Sequence, residues 1–434
     1  MFGYYLDLAW RSLARNKVLT ALMVLAIGLG IGASMTMITV LHVMTADPIP
    51  GHSGQLFYPQ LDPRDMSSDN DTPDPPDELT WIDAMNLLHA AKGTRQAAMS
   101  SGRVTVVPPQ GVSHAFNENA RYTTADFFTM FHVPFVAGGG WTAGDDGKHA
   151  RVAVIGRDFA DKLYGTAQAV GKVLRLGKYD FRVVGVTGRW NPVPHFYDLT
   201  LGNYARAEQV FLPFETAMEL KQGIQGAVNC WGDFPADGNF TKANGCGWVQ
   251  LWVQLDTPAQ VAAYRSFLAS YSDQQKSLGR FVRPPNTRLR DVMGWLDYNQ
   301  VVPGSVQLQT LLALGFLLVC LVNTVALLLV KFLRRGGELS VRRAMGASRR
   351  DVFAQLLMEA ALVGVGGGAA GLLLSVFGLW VVRQQPVEYA ALAHMDGAML
   401  LGSLALAVSA TLLAALFPAW RACRIVPARL LKTQ

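Results

Sequence analysis

The amino-acid sequence predicts a membrane protein with four transmembrane α-helices and a large α+β domain inserted between helices 1 and 2. Half of the 434 residues are hydrophobic and only 16% are charged, which is too apolar for an ordinary soluble enzyme. Four apolar stretches reach the roughly 20 residues that a helix needs to cross a bilayer core. Basic residues cluster at one end of each stretch, and this asymmetry predicts the orientation.

The predicted segments follow the ends of these apolar stretches, whose cores contain no Lys, Arg, Asp or Glu. In order they are a cytoplasmic interfacial helix (1–17), transmembrane helix 1 (18–44), a periplasmic domain (45–305), transmembrane helix 2 (306–332), a cytoplasmic coupling helix and linker (333–355), transmembrane helix 3 (356–382), a short periplasmic loop (383–397), transmembrane helix 4 (398–420) and a cytoplasmic tail (421–434).

Three segments are rich in Lys and Arg: the N-terminus, the connection after helix 2 and the C-terminus. Such segments stay in the cytoplasm, so the sequence predicts a multi-pass protein of a bacterial inner membrane with both termini inside and the large domain in the periplasm. Helix 1 is longer than the roughly 7 to 15 apolar residues of a signal peptide, which favours a retained anchor. The net charge of +6 lies mainly beside the spans, which favours contact with membrane lipid and not with nucleic acid.

The inserted segment has the composition of a folded domain. Residues 62–78 are predicted to be a polar, Pro-rich loop outside the core. A short buried strand is predicted at 152–155, followed by a helix that includes Phe159 and Leu163. Alternating apolar and polar positions on either side of Gly177 and Lys178 predict a β-hairpin.

Two cysteines, Cys230 and Cys246, lie in a stretch rich in Gly, Asn and Asp. An oxidising periplasm would let them form a disulfide, which would stabilise a loop with little core of its own. Two unpaired thiols are the alternative, and the sequence leaves both open.

No catalytic or metal-binding motif stands out in the sequence. The strings H-E-x-x-H, C-x-x-C and G-x-S-x-G do not occur. Residues 165–173 resemble a P-loop, but one residue too many separates the glycines and Val173 replaces the Ser or Thr that would hold magnesium. We therefore expect no enzyme activity, no catalytic residue, no metal and no cofactor on this chain.

The connection after helix 2 predicts a short amphipathic helix across the cytoplasmic face. Gly346 suits the position that ends it, and Ser348 with Asp351 resembles a capping box that opens the next helix. Such a helix fits a groove on a partner protein, although a charge cluster that only sets topology is the alternative. The predicted coupling residues are Glu338, the apolar strip of Leu339, Val341, Ala344 and Met345, the neighbouring Arg342 and Arg343, and Gly346.

Other positions predict how the helices pack. Six glycines in three G-x-x-x-G pairs indicate close helix contacts, within one subunit or between two. Asn323, inside helix 2, is predicted to make an interhelical hydrogen bond. The glycine pairs are Gly28 with Gly32, Gly364 with Gly368, and Gly367 with Gly371. The N-terminal helix is predicted to lie at the membrane interface with one apolar side, formed by Phe2, Tyr5, Leu6, Ala9, Trp10 and Leu13.

Several strings resemble the FtsX-like permeases of ABC transporters, and in particular the MacB type with its periplasmic domain. The string "LVNTVALLLVKFLRRGGELSVRRAMGASRRDVFAQLLMEAALVGVGGGAAGLLL" is similar to that family's second span, coupling helix and third span, and "FPAWRACRIVPARLL" to its exit from the fourth. In the inserted domain the similar pieces are "FFTMFHVPFVAGGGWTAGD", "VAVIGRDFADKLYG" and "VGKVLRLGKYDFRVVGV".

The resemblance implies a permease subunit that transmits the ATP-driven motion of a cytoplasmic ABC ATPase dimer to the periplasmic domain. Because MacB carries its ATPase on the same chain and this chain begins just before its first span, a separate ATPase polypeptide is expected to bind ATP and magnesium. A second permease copy, identical or paralogous, is also implied. The leading function is efflux of antibiotics, peptides or similar compounds with a periplasmic adaptor and an outer-membrane channel. The alternatives are LolC-like lipoprotein extraction, FtsX-like regulation of a periplasmic hydrolase without cargo, and a receptor without an ATPase; the sequence does not identify a cargo.

Overall fold

The computed structural model describes residues 2–66, 73–109, 114–231, 245–385 and 397–424. It divides the chain into two compact units. The helical unit comprises Met1–Thr45 and Val302–Gln434, and the inserted domain comprises Ala46–Val301. Most of the predicted periplasmic loop at 383–397 and of the cytoplasmic tail at 421–434 lies outside the described residues.

Long apolar helices make up most of the helical unit. Within the described ranges, four helices are long and apolar enough to cross a membrane, namely Lys17–Thr45, Gly304–Arg334, Arg349–Arg383 and Met399–Cys423. They confirm the predicted four-helix architecture. The α-helices of the described residues are α1 (Phe2–Arg15), α2 (Lys17–Thr45), α3 (Trp81–Ala90), α4 (Asp126–Met130), α5 (Ala143–Gly147), α6 (Arg157–Tyr164), α7 (Phe214–Glu219), α8 (Pro258–Ser277), α9 (Val292–Tyr298), α10 (Gly304–Arg334), α11 (Gly336–Ala344), α12 (Arg349–Arg383) and α13 (Gly397–Cys423).

The inserted domain is built on a mixed β-sheet. Its strands are β1 (Leu56–Leu61), β2 (Leu79–Thr80), β3 (Arg95–Val107), β4 (Phe116–Thr123), β5 (Phe135–Gly138), β6 (Val152–Gly156), β7 (Val173–Leu176), β8 (Tyr179–Thr187), β9 (Val210–Pro213), β10 (Gly223–Gln225), β11 (Asn229–Cys230), β12 (Cys246–Gln254) and β13 (Thr287–Asp291). The main order is β13-β1-β12-β3-β4-β9-β6-β8-β5. The β4–β9 and β6–β8 pairs are parallel, and the other pairs along this order are antiparallel.

Strand β12 lies at the centre of the domain core. Its side chains are buried on both faces, as expected for a strand covered on both sides. Trp248 and Trp252 are fully buried, and Trp248 stacks on Trp81 of α3 with ring centroids 5.8 Å apart. The predicted strand and helix correspond to β6 and α6, with Phe159 and Leu163 buried. The predicted hairpin is formed by β7 and β8, with Gly177 at a positive φ of 57° in the turn.

Residues 62–66 and 73–78 contain no helix or strand, as predicted for a loop, but the prediction that this segment lies outside the core is wrong at both of its ends. Asp62 and Arg64 are each 4% exposed and pair with each other at 2.7 Å, and Glu78 is also 4% exposed. Charged side chains can be buried when they are paired or hydrogen-bonded, so a polar composition does not by itself place a segment at the surface. The described part of this segment therefore contributes polar groups to the domain interior.

A disulfide joins the two cysteines of the inserted domain. Cys230 on β11 lies directly opposite Cys246 on β12, and the two are bonded across a sequence separation of 16 residues. Cys320 and Cys423 are free and buried in the helical unit. Of the two alternatives that the sequence left open, the structure has the bonded one.

Replacing both bonded cysteines with serine (C230S/C246S) should lower the free energy of unfolding of the inserted domain by about 3 kcal/mol, because the cross-link restricts the unfolded chain. Thermal unfolding of the full chain under oxidising conditions measures the loss. Reductant should bring the parent protein to the level of the variant and leave the variant unchanged. Identical unfolding of parent and variant without reductant would contradict the prediction.

Candidate coupling site of the helical unit

The predicted coupling residues lie on and just after α11, a nine-residue helix between α10 and α12. Met345 caps its C-terminus, and Gly346 follows at a φ of +104°, which a residue with a side chain rarely adopts. Ser348 and Asp351 form a complete capping box at the start of α12. Local sequence signals therefore fix both ends of the connection.

The apolar residues of α11 do not form the single strip predicted from the sequence. Leu339 is 4% exposed and belongs to the same apolar core as Leu13 and Phe332. Val341 and Met345 are 53% and 76% exposed. Successive residues of an α-helix turn by about 100°, so Leu339 and Val341 point to nearly opposite sides. Leu339 anchors the helix, while Val341, Ala344 and Met345 form an exposed surface that we call the coupling patch.

The arginines of α11 contact residues of the helical unit itself. Arg342 lies 3.5 Å from Glu338 and donates a hydrogen bond of 2.9 Å to Gln355 Oε1. Arg343 donates to the backbone carbonyl of Cys423 at 3.3 Å. Hydrogen bonds from Arg335 hold the pKa of Glu338 below its ordinary value, so this carboxylate is ionised at neutral pH. These contacts hold α11 against α12 and α13.

A buried ionic cluster, which the sequence prediction does not include, lies behind α11. Glu359 of α12 is fully buried and binds Arg335 through Oε1. Its Oε2 lies 3.2 Å from Nζ of Lys331, which is 2% exposed, in an ion pair without a well-aligned hydrogen bond. Arg335 also donates to Ser12 Oγ at 2.6 Å. The cluster thus connects α1, the end of α10 and α12.

One sequence signal could have revealed this cluster. Lys331 and Glu359 lie just outside the apolar cores of helices 2 and 3, at the ends that share a predicted side of the membrane. Opposite charges at neighbouring ends of two adjacent spans are candidates for an ion pair, because unpaired charge there is costly.

The N-terminal helix α1 is only partly buried on its predicted apolar side. Ala9 is fully buried and Leu13 is 9% exposed, whereas Leu6 and Trp10 are 41% and 68% exposed. The Tyr5 hydroxyl donates to Asp351 at 3.1 Å. One part of the apolar side therefore packs on the helical unit and another part remains exposed, an arrangement that suits a membrane interface.

The glycine pairs mark close contacts within one chain. A Cβ built on Gly28 would lie 3.0 Å from Ala370 Cβ, and one on Gly371 would lie 2.8 Å from Ile31 Cβ. Gly32 and Gly367 lie in the same α2–α12 contact, where an added Cβ would meet Leu374 and Ile27, respectively. Gly364 and Gly368 face α13, where an added Cβ would meet Thr411 and Leu404, respectively. Helix α12 therefore packs against α2 on one side and α13 on the other.

Gly371→Val should destabilise the helical unit by about 1 to 3 kcal/mol, because its β-carbon would overlap the branched Ile31 and force α2 and α12 apart. Gly315→Ala is the control within a span, because no described residue lies within 4 Å of its added β-carbon, and it should be neutral or slightly stabilising. Thermal unfolding in detergent compares the two. Equal stability of the two variants would show that the α2–α12 contact is not this close.

The interhelical hydrogen bond predicted for Asn323 is not made within the described part of this chain. Its side chain is exposed on α10, and no hydrogen bond links it to another of the described residues. Asn323 lies about 100° around α10 from Thr324, beside the buried stripe of this helix and not within it.

Two family models match the chain in succession. The MacB-like periplasmic core domain matches residues 20–270, and the FtsX-like permease C-terminal domain matches residues 310–427. A chain with four spans, a large domain after the first and a short helix between the second and third has the architecture of a transporter permease. The chain belongs to the FtsX/MacB-type family of ABC transporter permeases. It is accordingly an inner-membrane protein with a periplasmic domain.

Curated relatives share this region of the chain. The macrolide export ATP-binding/permease protein MacB of Salmonella typhi is 25% identical over 394 residues, which cover 87% of this chain and 52% of that protein. MacB 1/2 of Paracoccus denitrificans is 25% identical over 324 residues, which cover 68% and 43%. The chain thus spans about half the length of these relatives. The periplasmic region of MacB from Actinobacillus actinomycetemcomitans is a solved structure with 14% identity and a TM-score of 0.35, covering 57% of this chain and 94% of that chain.

Proposed function

We propose that this chain is the permease subunit that transmits the ATP-driven motion of a partner ABC ATPase to the periplasmic domain. The motion serves the efflux of antibiotics, peptides or similar compounds, together with a periplasmic adaptor and an outer-membrane channel. The observation that carries the proposal is the division of α11 into an exposed apolar surface and a buried anchor.

Force enters at the coupling patch. Its apolar side chains are exposed although the helix that carries them is anchored, and an amphipathic helix of this kind suits a groove on a partner. Arg342 and Arg343 flank the patch and are already held by Glu338, Gln355 and Cys423. Apolar contact at the patch therefore supplies most of the binding, while the arginines set the position of the helix.

The buried ionic cluster carries the motion from α11 to the spans. Arg335 precedes α11 and binds Glu359 of α12 and Ser12 of α1, and Glu359 also pairs with Lys331 of α10. Displacement of α11 therefore pulls on three other helices. Because the cluster is buried, its partners cannot be replaced by water at low cost.

Helices α2 and α10 carry the motion onward. Close glycine contacts hold α2 against α12, and a Cβ on Gly30 would lie 2.9 Å from Leu317 of α10. Helix α2 ends at Thr45 and α10 begins at Gly304, so each continues directly into the inserted domain. Two covalent connections from packed helices can move that domain without a transport pathway through the spans.

The partner subunits follow from this mechanism. ATP and magnesium are bound by a cytoplasmic ATPase dimer, and both termini of the permease lie on the same side as α11. Because the ATPase is a dimer, the complex also contains a second permease copy, in a homodimer or a paralogous heterodimer. The exposure of Asn323 within α10 supports a second copy, since a polar side chain facing lipid is costly.

Purification of the chain from its native membrane tests the proposal. An ABC ATPase, an adaptor and an outer-membrane channel should copurify, and the complex should hydrolyse ATP. A preparation that contains the intact chain but neither an ATPase nor ATP hydrolysis would contradict the proposal. If lipoprotein carriers copurify in place of the adaptor, the function is lipoprotein extraction and not efflux.

A further inference from the structure

A cavity of about 210 Å³ lies inside the inserted domain. It is bounded by β1, β12, α9, the segment before β2 and the connection between β8 and β9. Three acidic side chains line it, namely Asp77, Glu78 and Asp198. A space of this volume holds several waters or the head group of a small organic molecule.

Negative charge exceeds positive charge around the cavity. Asp198 pairs with Arg121 at 2.6 Å, and the same guanidinium also binds Glu208, whose other carboxylate oxygen lies 3.9 Å from His195 Nε2. Arg290, whose charge acts on Asp77, pairs with Asp74 at 3.1 Å. Within the part of the chain that the structure describes, neither Asp77 nor Glu78 has an ion-pair partner.

Among the described residues, the side-chain donors to Asp77 and Glu78 are neutral amides. Gln60 Nε2 donates to Asp77 at 3.2 Å, and Asn229 Nδ2 donates to Glu78 at 2.8 Å. Burial raises the pKa of Asp77 to about 6, and burial together with the charge of Asp77 raises the pKa of Glu78 to about 7. Both carboxylates are therefore costly to ionise without a cation nearby.

A buried amide also points to a ligand. Gln250 of β12 is 3% exposed and lines the cavity, and no described residue donates a hydrogen bond to its Oε1. An acceptor left without a donor costs free energy, so this oxygen marks the place of a missing donor. On another side, Tyr58 and Trp295 stack with ring centroids 4.1 Å apart and form an aromatic wall.

We propose that this cavity binds the head group of a small organic cation, an alkylammonium or a guanidinium. Glu78 and Asp77 supply the counter-charge, Gln250 Oε1 accepts a hydrogen bond from the cationic nitrogen, and the aromatic wall packs against the alkyl part. A metal ion fits less well, since no group of three or more His, Cys, Asp or Glu side chains among the described residues is arranged to hold one. The head group belongs either to a free amine or to the lysine or arginine side chain of a protein partner.

Calorimetric titration of the full chain in lipid nanodiscs tests this assignment. The probes are butylammonium, guanidinium, their neutral counterpart 1-butanol, and a tripeptide of Gly-Lys-Gly with blocked ends. Saturable binding of one cation per chain is expected, with no measurable binding of 1-butanol. Binding of the free cations indicates a small-molecule ligand, and binding of the peptide alone indicates a partner's side chain.

Matched variants locate the site. Glu78→Gln keeps the shape and removes the charge, so it should weaken cation binding at least about tenfold. Asp77→Asn is a second variant in the cavity with the same expected direction. Asp273→Asn changes the net charge equally at an exposed position of α8 and should leave binding unchanged. The proposal is overturned if no cation binds, if 1-butanol binds as well as butylammonium, or if binding survives in both cavity variants.

Discussion

Replacement of Val341 and Met345 with aspartate (V341D/M345D) is expected to release the ATPase from the purified complex while the permease stays folded. Both side chains are exposed, so the substitutions disturb no internal packing. In the proposed complex they would place two carboxylates in an apolar contact that loses its water, which is costly when no partner is present. We expect affinity for the ATPase to fall at least about 100-fold, which corresponds to about 3 kcal/mol.

Copurification and ATP hydrolysis of the membrane complex measure this loss. Met66→Asp is the control, because Met66 is 72% exposed in the inserted domain, outside the proposed contact. It should retain the ATPase in full. Undiminished copurification of the ATPase with V341D/M345D would show that the coupling patch is not where the ATPase transmits force to the permease.

Leu339 distinguishes an anchoring role from a contact role. Leu339→Ala removes a buried side chain, so it should lower the thermal stability of the helical unit instead of the intrinsic affinity for the ATPase. The predicted apolar strip puts Leu339 and Val341 on one side of the helix. The helical turn places them on different faces, and this assignment was available from residue spacing alone.

Local features of the connection after helix 2 were predictable because short-range rules govern them. The left-handed conformation of Gly346 and the capping box of Ser348 and Asp351 depend on residues within one helical turn. The four spans were predictable for a similar reason, since length and apolar composition act along a single helix.

Contacts between distant parts of the chain were harder to predict. The G-x-x-x-G spacing shows that Gly367 and Gly371 share one face of α12, but it does not show that the face packs on α2. In the inserted domain, Asp77 and Glu78 follow a Pro-rich stretch whose composition predicts a solvated loop. Their burial depends on β12 and on the connection before β9, which the chain reaches much later.

Glu359→Gln should cause the largest loss of stability in the helical unit. The substitution keeps the side-chain shape but removes the negative charge between Lys331 and Arg335, leaving two cations close together in a buried site. Removing one partner of a buried ion pair costs roughly 3 to 5 kcal/mol, because the remaining charge has no water to solvate it. Thermal unfolding in detergent should therefore show a large decrease.

Glu338→Gln provides the matched control, with the same chemical change at a carboxylate whose side chain is 38% exposed. Solvent screens its ion pairs with Arg335 and Arg342, so its loss should cost less than about 1 kcal/mol. If the two variants lose equal stability, the buried cluster does not hold the helices together as proposed.

The double variant K331M/E359Q tests whether the stability lost in Glu359→Gln comes from the unbalanced positive charge that this substitution leaves. Removing the Lys331 cation along with the Glu359 charge should recover part of the stability, with a coupling free energy of about 1 to 3 kcal/mol. In complexes that retain the ATPase, the double variant should still hydrolyse ATP but transmit motion poorly, because Arg335 loses its charged partner on α12 while the coupling patch is intact. Normal transport by such a complex would mean that force reaches the spans by a route that does not include Glu359.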